Sequence, residues 1–290
     1  MEQGAVNPPP HLRFEAQGGM GHRLRARGAA PLLVSGSHLV AAAAATGSDR
    51  ALTATERWVA WLAGRLAGIQ LDVEGLEFID PDRADVVAPL HEGFADILAL
   101  LRLPLSLRFA ARDELFGWPA LGRYLEAAGH LQVVERAGRA ETRDFLAGAS
   151  SVIQGGRSLV LFPQGSVLGI EIAYRPGPLR IARRFSVPIL PVVLTGSHLV
   201  WEHPYSSVVR FGQRISMRVL EPVPAAALDE AAYRDLERVM KARALEEDMA
   251  PVRRYRPEVD GWWDGYSFEI DPDFQTLKTR VDARREATLS

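Results

Sequence analysis

Cysteine is absent from this chain of 290 residues, which removes a disulfide framework, a thiolate metal site and any covalent cysteine intermediate. Lysine is almost absent as well, since Lys241 and Lys278 are the only two. Nearly all positive charge is therefore guanidinium, a group suited to two-pronged contact with phosphate or carboxylate, although GC-rich codon usage produces the same bias. A positive excess is lacking too: the net charge of −2 argues against a dedicated nucleic-acid binder. Long apolar runs are missing. Leu39 to Ala45 is too short to cross a bilayer, and no later segment reaches roughly 18 unbroken apolar residues. That stretch also lies too deep for a signal peptide, so a cytoplasmic location is the default expectation.

What is present is the composition of a folding chain, with 47% hydrophobic and 24% charged residues. Residues 1 to about 30 carry Pro8, Pro9 and Pro10, several glycines and scattered arginines without apolar periodicity; they read as a mobile tail, and 1–50 as an irregular N-terminal extension. From Thr53 the pattern turns helical. Thr53 is the expected cap, with Glu56 three residues on, and Trp58, Val59, Leu62 and Leu66 recur at helical spacing. Trp58 and Trp61 make 53–68 a candidate interfacial helix, or equally one packed on the domain.

Apolar runs of strand length follow at 71–79, 85–90, 105–111, 130–135, 158–162, 188–194 and 213–220, with helical patterns between them at 95–102, 118–127, 141–153 and 178–185. Further helices are expected at 229–248 and 274–286. This alternation predicts an α/β fold, a single layered domain over 51–272 with a mixed, mostly parallel sheet flanked by helices, plus an N-terminal helical extension and a C-terminal helix and tail over 273–290. The pentapeptide Gly-Ser-His-Leu-Val occurs at 36–40 and again at 196–200, too short to define a repeat.

The chemistry-bearing segment is Asp85-Val86-Val87-Ala88-Pro89-Leu90, running into His91-Glu92-Gly93-Phe94-Ala95-Asp96. His91 falls at the carboxyl end of a strand, where open α/β sheets bind ligands. In continuous helix His91 and Asp96 would stand roughly 140° apart, so they meet only if the chain turns between them, a turn assigned to Gly93. Asp96 then accepts from one imidazole nitrogen and leaves the other as a base. No second histidine follows at helical spacing, which speaks against a metal site. Ser166 lacks the glycine two residues before it that a nucleophile elbow requires.

His91-x-x-x-x-Asp96 resembles the first signature block of the glycerolipid acyltransferases, the lysophosphatidic acid and lysophospholipid acyltransferase type. Gly129 to Arg136 is similar to the second block, Phe162-Pro163-Gln164-Gly165-Ser166 to the third, and Val187-Pro188-Ile189-Leu190-Pro191-Val192 to the fourth. Arg112-Asp113-Glu114-Leu115 and Arg175-Pro176-Gly177 resemble flanking family motifs, and Trp262-Trp263-Asp264-Gly265-Tyr266 resembles the tail of some bacterial members. The resemblance covers roughly residues 70 to 200.

It implies acyl transfer from acyl-CoA or acyl carrier protein to the free hydroxyl of a lysophospholipid, 1-acyl-sn-glycerol-3-phosphate giving phosphatidic acid, with His91 as base and Asp96 as its partner. No permanent cofactor or metal is implied. Arg112, Arg136 and Arg175, with the backbone at Gly165, are the expected phosphate contacts; Phe162, Pro163, Gln164, Ser166, Glu171, Pro188 and Pro191 complete the expected substrate surface. A protein acting on membrane lipid should dock peripherally, at the inner face of a bacterial cell membrane. Departures from the pattern are Leu90 for the usual Asn, Gln164 for the usual Glu, and Val167 where many members carry arginine. Glu171 is a candidate replacement for the missing carboxylate. These changes keep open a different lyso-lipid acceptor, or a lipid-binding protein without turnover.

Overall fold

The structure, a computed structural model, describes residues 13–15, 35–118, 121–134, 137–167, 169–200, 208–247 and 269–289. A small parallel pair joins β1 (Arg13–Glu15) to β8 (Val208–Arg210). The main sheet contains β2 (Gln70–Glu74), β3 (Val86–Pro89), β4 (Leu107–Arg112), β5 (Leu131–Val133), β6 (Ser158–Val160), β7 (Ile189–Thr195) and β9 (Arg214–Val219). Its spatial order is β2-β9-β7-β3-β6-β4-β5, and neighbours are parallel except β7 with β9. Every run predicted as a strand enters this sheet, as the mixed, mostly parallel α/β class requires.

Helices cover both faces: α1 (35–45), α2 (Asp49–Leu66), α3 (Ala95–Leu100), α4 (Asp113–Phe116), α5 (Leu121–Ala127), α6 (Arg139–Gln154), α7 (Gly177–Phe185), α8 (Ser197–Val200), α9 (Glu230–Glu246) and α10 (Phe274–Leu289). The central strands β3 and β7 are buried along their whole length, and alternation sends their side chains into two cores. Val86, Ala88, Ile189 and Val193 pack with Val152, Leu179, Ala182, Leu236 and Met240 from α6, α7 and α9. On the other face Val87, Leu190, Val192 and Leu194 meet Ala95, Ala99 and Leu100 of α3.

Two expectations need correction. The strand predicted over 71–79 stops at Glu74: Gly75 takes a left-handed φ of 80° with its Cα against the Val219 carbonyl, and Leu76–Phe78 form a 3-10 turn. The expected N-terminal helical extension is present, since 35–45, rich in alanine, is helical. By contrast, α2 starts at Asp49, capped by Ser48, whose side chain accepts from the Ala51 amide; Thr53 instead bonds Ser106 across the fold at 3.1 Å. The buried stripe of α2 is Leu52, Glu56, Ala60 and Ala63, so of the two readings of the tryptophans the one that packs them on the domain is not met. Small alanines let the helix approach closely, and Trp58 and Trp61 stay 49% and 40% exposed.

Glu56 enters that stripe because partners await it. Tyr124 Oη donates to Glu56 Oε1 at 2.9 Å, Arg108 Nη1 lies 3.9 Å from Oε2, and His130 Nε2 lies 3.6 Å from Oε1. His130 Nδ1 accepts from the Phe109 amide at 3.0 Å, which leaves the ring's proton on Nε2, facing Glu56. Burial holds His130 down at about 3, with the Arg108 charge acting in the same sense, so the ring is neutral. The same burial pushes Glu56 up to about 7 against the opposing pull of Arg108 and Tyr124. At the far side of the domain Lys241, wholly buried, donates to Glu237 Oε1 at 2.6 Å and to Asp271 Oδ2 at 2.9 Å. An interior ammonium is tolerated when paired in this way, and the triad ties α9 to the segment ahead of α10.

Since the folded pKa of Glu56 lies above its ordinary 4.5, its contribution is most favourable below that value and is lost as pH rises through about 7. Glu56→Gln removes this dependence. Urea unfolding should show the variant gaining about 2 kcal/mol relative to wild type between roughly pH 5.5 and pH 8.5. A constant difference across that range would refute the shift.

Candidate functional site

Beyond β3 the chain leaves the sheet at Leu90, whose amide still donates to Val192 O at 2.8 Å, and reaches α3 through five residues that fold around one carboxylate. Asp96, in the first turn of α3 and without solvent exposure, accepts at a single oxygen, Oδ2, from three donors. These are His91 Nδ1 at 2.6 Å, the Glu92 amide at 2.9 Å and the Gly93 amide at 3.0 Å. An oxygen already facing two N–H groups is an acceptor, so the ring nitrogen turned to it carries the proton. The neutral imidazole then presents an unprotonated Nε2, and the ring is 14% exposed. Phe162 stacks on it with centroids 3.8 Å apart and planes 22° from parallel, fixing the ring plane.

Gly93 is required for a different reason than expected. Its φ is not left-handed; a Cβ there would come within 3.0 Å of the Ser197 backbone, so glycine permits a close approach between this loop and the end of β7. Glu92 fastens the same junction. Its buried carboxylate accepts from the Gly196 amide at 2.9 Å and from His198 Nδ1 at 3.0 Å. Burial raises the Glu92 carboxyl and His198 opposes that rise. Sequence reasoning missed this pair, although the Gly-Ser-His-Leu-Val segment at 196–200 had drawn attention and contains His198.

Several predicted residues converge here. Gly165 adopts φ 68° in the turn after Phe162, Arg112 Nη2 donates to its carbonyl at 2.8 Å, and the Arg175 guanidinium lies about 3.5 Å from where a Cβ on Gly165 would sit. Arg175 is anchored through its backbone, its amide donating to Pro163 O at 2.8 Å and its carbonyl accepting from Tyr233 Oη at 3.0 Å. Ser166 is buried beside this turn. Glu171 is buried as well: its carboxylate folds against Gly169, and its carbonyl accepts the Asp271 amide at 2.8 Å.

Other predicted residues do not face this space. Gln164 is fully buried and spends its amide on backbone groups of His91 and Gly169 rather than on a substrate surface. Pro188 lies at the start of β7, the end opposite His91, where its carbonyl accepts the Val86 amide. Pro191 is buried mid-sheet, its missing N–H falling on the β9 side beyond the last registered pair of Val192 with Val219, while its carbonyl still accepts the Leu220 amide at 3.0 Å. Both prolines shape the sheet. Arg136 and 262–266 lie outside the described residues. A cavity of ≈ 750 Å³ lined by Arg139, Arg143, Leu146, Arg184 and Phe185 sits between α6 and α7 and contains none of the predicted site residues.

Residues 70–195 match the family model described as Acyltransferase. A 1-acyl-sn-glycerol-3-phosphate acyltransferase of Cocos nucifera is 29% identical over 150 residues, 51% of this chain and 47% of that protein. The 1-acyl-sn-glycerol-3-phosphate acyltransferase BAT2, chloroplastic, of Brassica napus is 25% identical over 54% of this chain and 46% of its own length. The chain thus spans about half the length of the curated relatives it matches. Among solved structures, the 1-acyl-sn-glycerophosphate acyltransferase PlsC of Thermotoga maritima superposes with a TM-score of 0.58 at 23% identity, over 70% of this chain and 83% of that one, a likeness of fold.

The arrangement of Asp96 carries a spectroscopic consequence. Nitrogen-15 correlation spectra near neutral pH should find the neutral His91 ring protonated on Nδ1. In Asp96→Ala the amides of Glu92 and Gly93 should exchange with solvent roughly tenfold faster, the scale of one lost hydrogen bond. A ring protonated on Nε2 in the wild type would overturn the assignment.

Proposed function

We propose that this chain, whose residues 70–195 match the acyltransferase family model, transfers a fatty acyl group from a coenzyme A or acyl-carrier-protein thioester to the free hydroxyl of a lysophospholipid. The acceptor that the relatives' names favour is 1-acyl-sn-glycerol-3-phosphate, giving phosphatidic acid. The observation that carries this reading is the 2.6 Å bond from His91 Nδ1 to a buried carboxylate held by two backbone amides.

A hydroxyl is a poor nucleophile at neutral pH, so its proton must leave as its oxygen attacks. His91 Nε2 takes that proton; the new C–O bond forms at the thioester carbonyl, and the tetrahedral intermediate collapses by breaking the C–S bond. The proton on Nε2 then passes to the departing sulfur. Asp96 keeps the ring in the productive tautomer and stabilises the imidazolium formed in between. Arg112 and Arg175, gathered at the Gly165 turn, are the cations for the acceptor's phosphate. Transfer then proceeds directly between the two substrates, a route compatible with a chain that has no cysteine.

The acceptor is a membrane lipid, and no described helix is long and apolar enough to cross a bilayer. Peripheral docking on a cell membrane's inner face through α2 is therefore part of the proposal, supported by exposed Trp58 and Trp61 and by Arg65, whose guanidinium sits 5.8 Å from the Trp61 ring.

Mass spectrometry of products formed from mixed lyso-acceptors and one acyl donor should identify phosphatidic acid. His91→Ala should abolish turnover and Asp96→Asn should lower it by about 10²- to 10⁴-fold. Undiminished turnover in His91→Ala would refute the base. Flotation with anionic vesicles should show weaker binding when Trp58 and Trp61 are both replaced by alanine; equal binding would remove α2 from the docking surface.

A further inference from the structure

The parallel ladder between β3 and β6 uses alternate residues of β3. Asp85 O accepts from the Leu159 amide and Val87 O from the Leu161 amide, both at 2.9 Å. Two residues further on the ladder must fail, because Pro163 has no N–H to offer Pro89 and the chain beyond it turns away at Gly165. His91 comes next on the same side of β3. Its N–H and C=O would lie at the sheet's end without a strand partner.

Gln164 supplies that partner from its side chain. Its Oε1 accepts the His91 amide at 2.7 Å, and its Nε2 donates to His91 O at 3.2 Å and to Gly169 O at 3.1 Å. The orientation of the amide follows from its neighbours, since the His91 N–H can only donate and the two carbonyls can only accept. Both side-chain N–H groups are thereby used, and the residue is fully buried. A side-chain amide thus stands in for one peptide unit of a strand and grips His91 by its main chain, while Asp96 and Phe162 grip its ring.

We infer that Gln164 is a positioning residue for His91 and that this chain, where the resembled motif usually has glutamate, needs an amide here because the His91 and Gly169 carbonyls both take N–H groups from it; a carboxylate of the same length disables it while ionised. The inference rests on the role of base given to His91 above. Glutamate at 164 can accept the His91 amide, but its second oxygen would confront the carbonyls of His91 and Gly169, acceptor against acceptor. Protonation restores one donor. The defect of Gln164→Glu should therefore fade as pH falls, whereas Gln164→Met, of similar shape without hydrogen bonds, should be impaired at every pH.

The experiment compares both variants with wild type from about pH 6 to about pH 8, after near-ultraviolet circular dichroism has established that each is folded. Turnover of Gln164→Glu relative to wild type should be down about 100-fold at the alkaline end, the cost of a misplacement near 1 Å, and recover to within about tenfold at the acid end. Gln164→Met should give a flat ratio at roughly the lower level. Independently of activity, hydrogen exchange at the His91 amide should be faster than wild type by about tenfold in Gln164→Met, and in Gln164→Glu only at the alkaline end. A flat ratio for Gln164→Glu, or wild-type protection of the His91 amide in both variants, would overturn the inference. Should the wild type itself turn over no lyso-acceptor, the reading of function fails while the exchange ratios still decide the clamp.

Discussion

Three N–H groups converge on one oxygen of Asp96, and the geometry around it follows from that convergence. A carboxylate with no solvent exposure is costly unless it is hydrogen-bonded, and two backbone amides from the preceding loop together with the imidazole meet that demand at Oδ2. In doing so they bend the chain between β3 and α3 back on itself. The demand of a buried charge for donors thus sets both the loop's path and the tautomer of His91, whose other nitrogen is left without a proton.

Around that carboxylate, the ends of several parallel strands each contribute one restraint. The β6 side brings Phe162 under the ring and Gln164 to the main chain; the β7 side brings Gly196 and His198 to Glu92. Further out, β4 ends in Arg112 and the segment before α7 in Arg175, both at the Gly165 turn. The parallel strands β3, β4, β6 and β7 end on the same edge and make such convergence possible, because loops distant in sequence emerge there side by side. The polar cluster of Glu56, Tyr124, Arg108 and His130 and the Lys241 triad stand outside this edge and secure the flanking helices.

Much of the fold was legible in the sequence. Seven apolar runs became the seven strands of the main sheet, since fully buried parallel strands read as continuous β-rich segments. The pairing of His91 with Asp96 was legible as well, through the strand that precedes it and the blocks that follow in order. Helix α2 was only half legible. Its periodicity left open whether the tryptophan face turns outward or packs on the domain; the buried stripe contains Glu56 and two alanines, because partners on β4, α5 and the β5 entrance decide which face turns inward.

The sequence by itself determined local things: strand-length apolar runs, the punctuation of helices, and a histidine and an aspartate five positions apart at a strand's end. Tertiary structure alone decided which polar groups are consumed by the fold and which remain for chemistry. Gln164 looked like a substrate contact and is spent on the His91 backbone; Pro188 and Pro191 looked like groove residues and serve the sheet. Glu92 and His198, separated by more than a hundred positions, meet across the end of β7. The physical reason is that a hydrogen-bonding group is satisfied by whatever lies within about 3 Å of it, and in a parallel sheet that neighbour comes from a distant part of the chain.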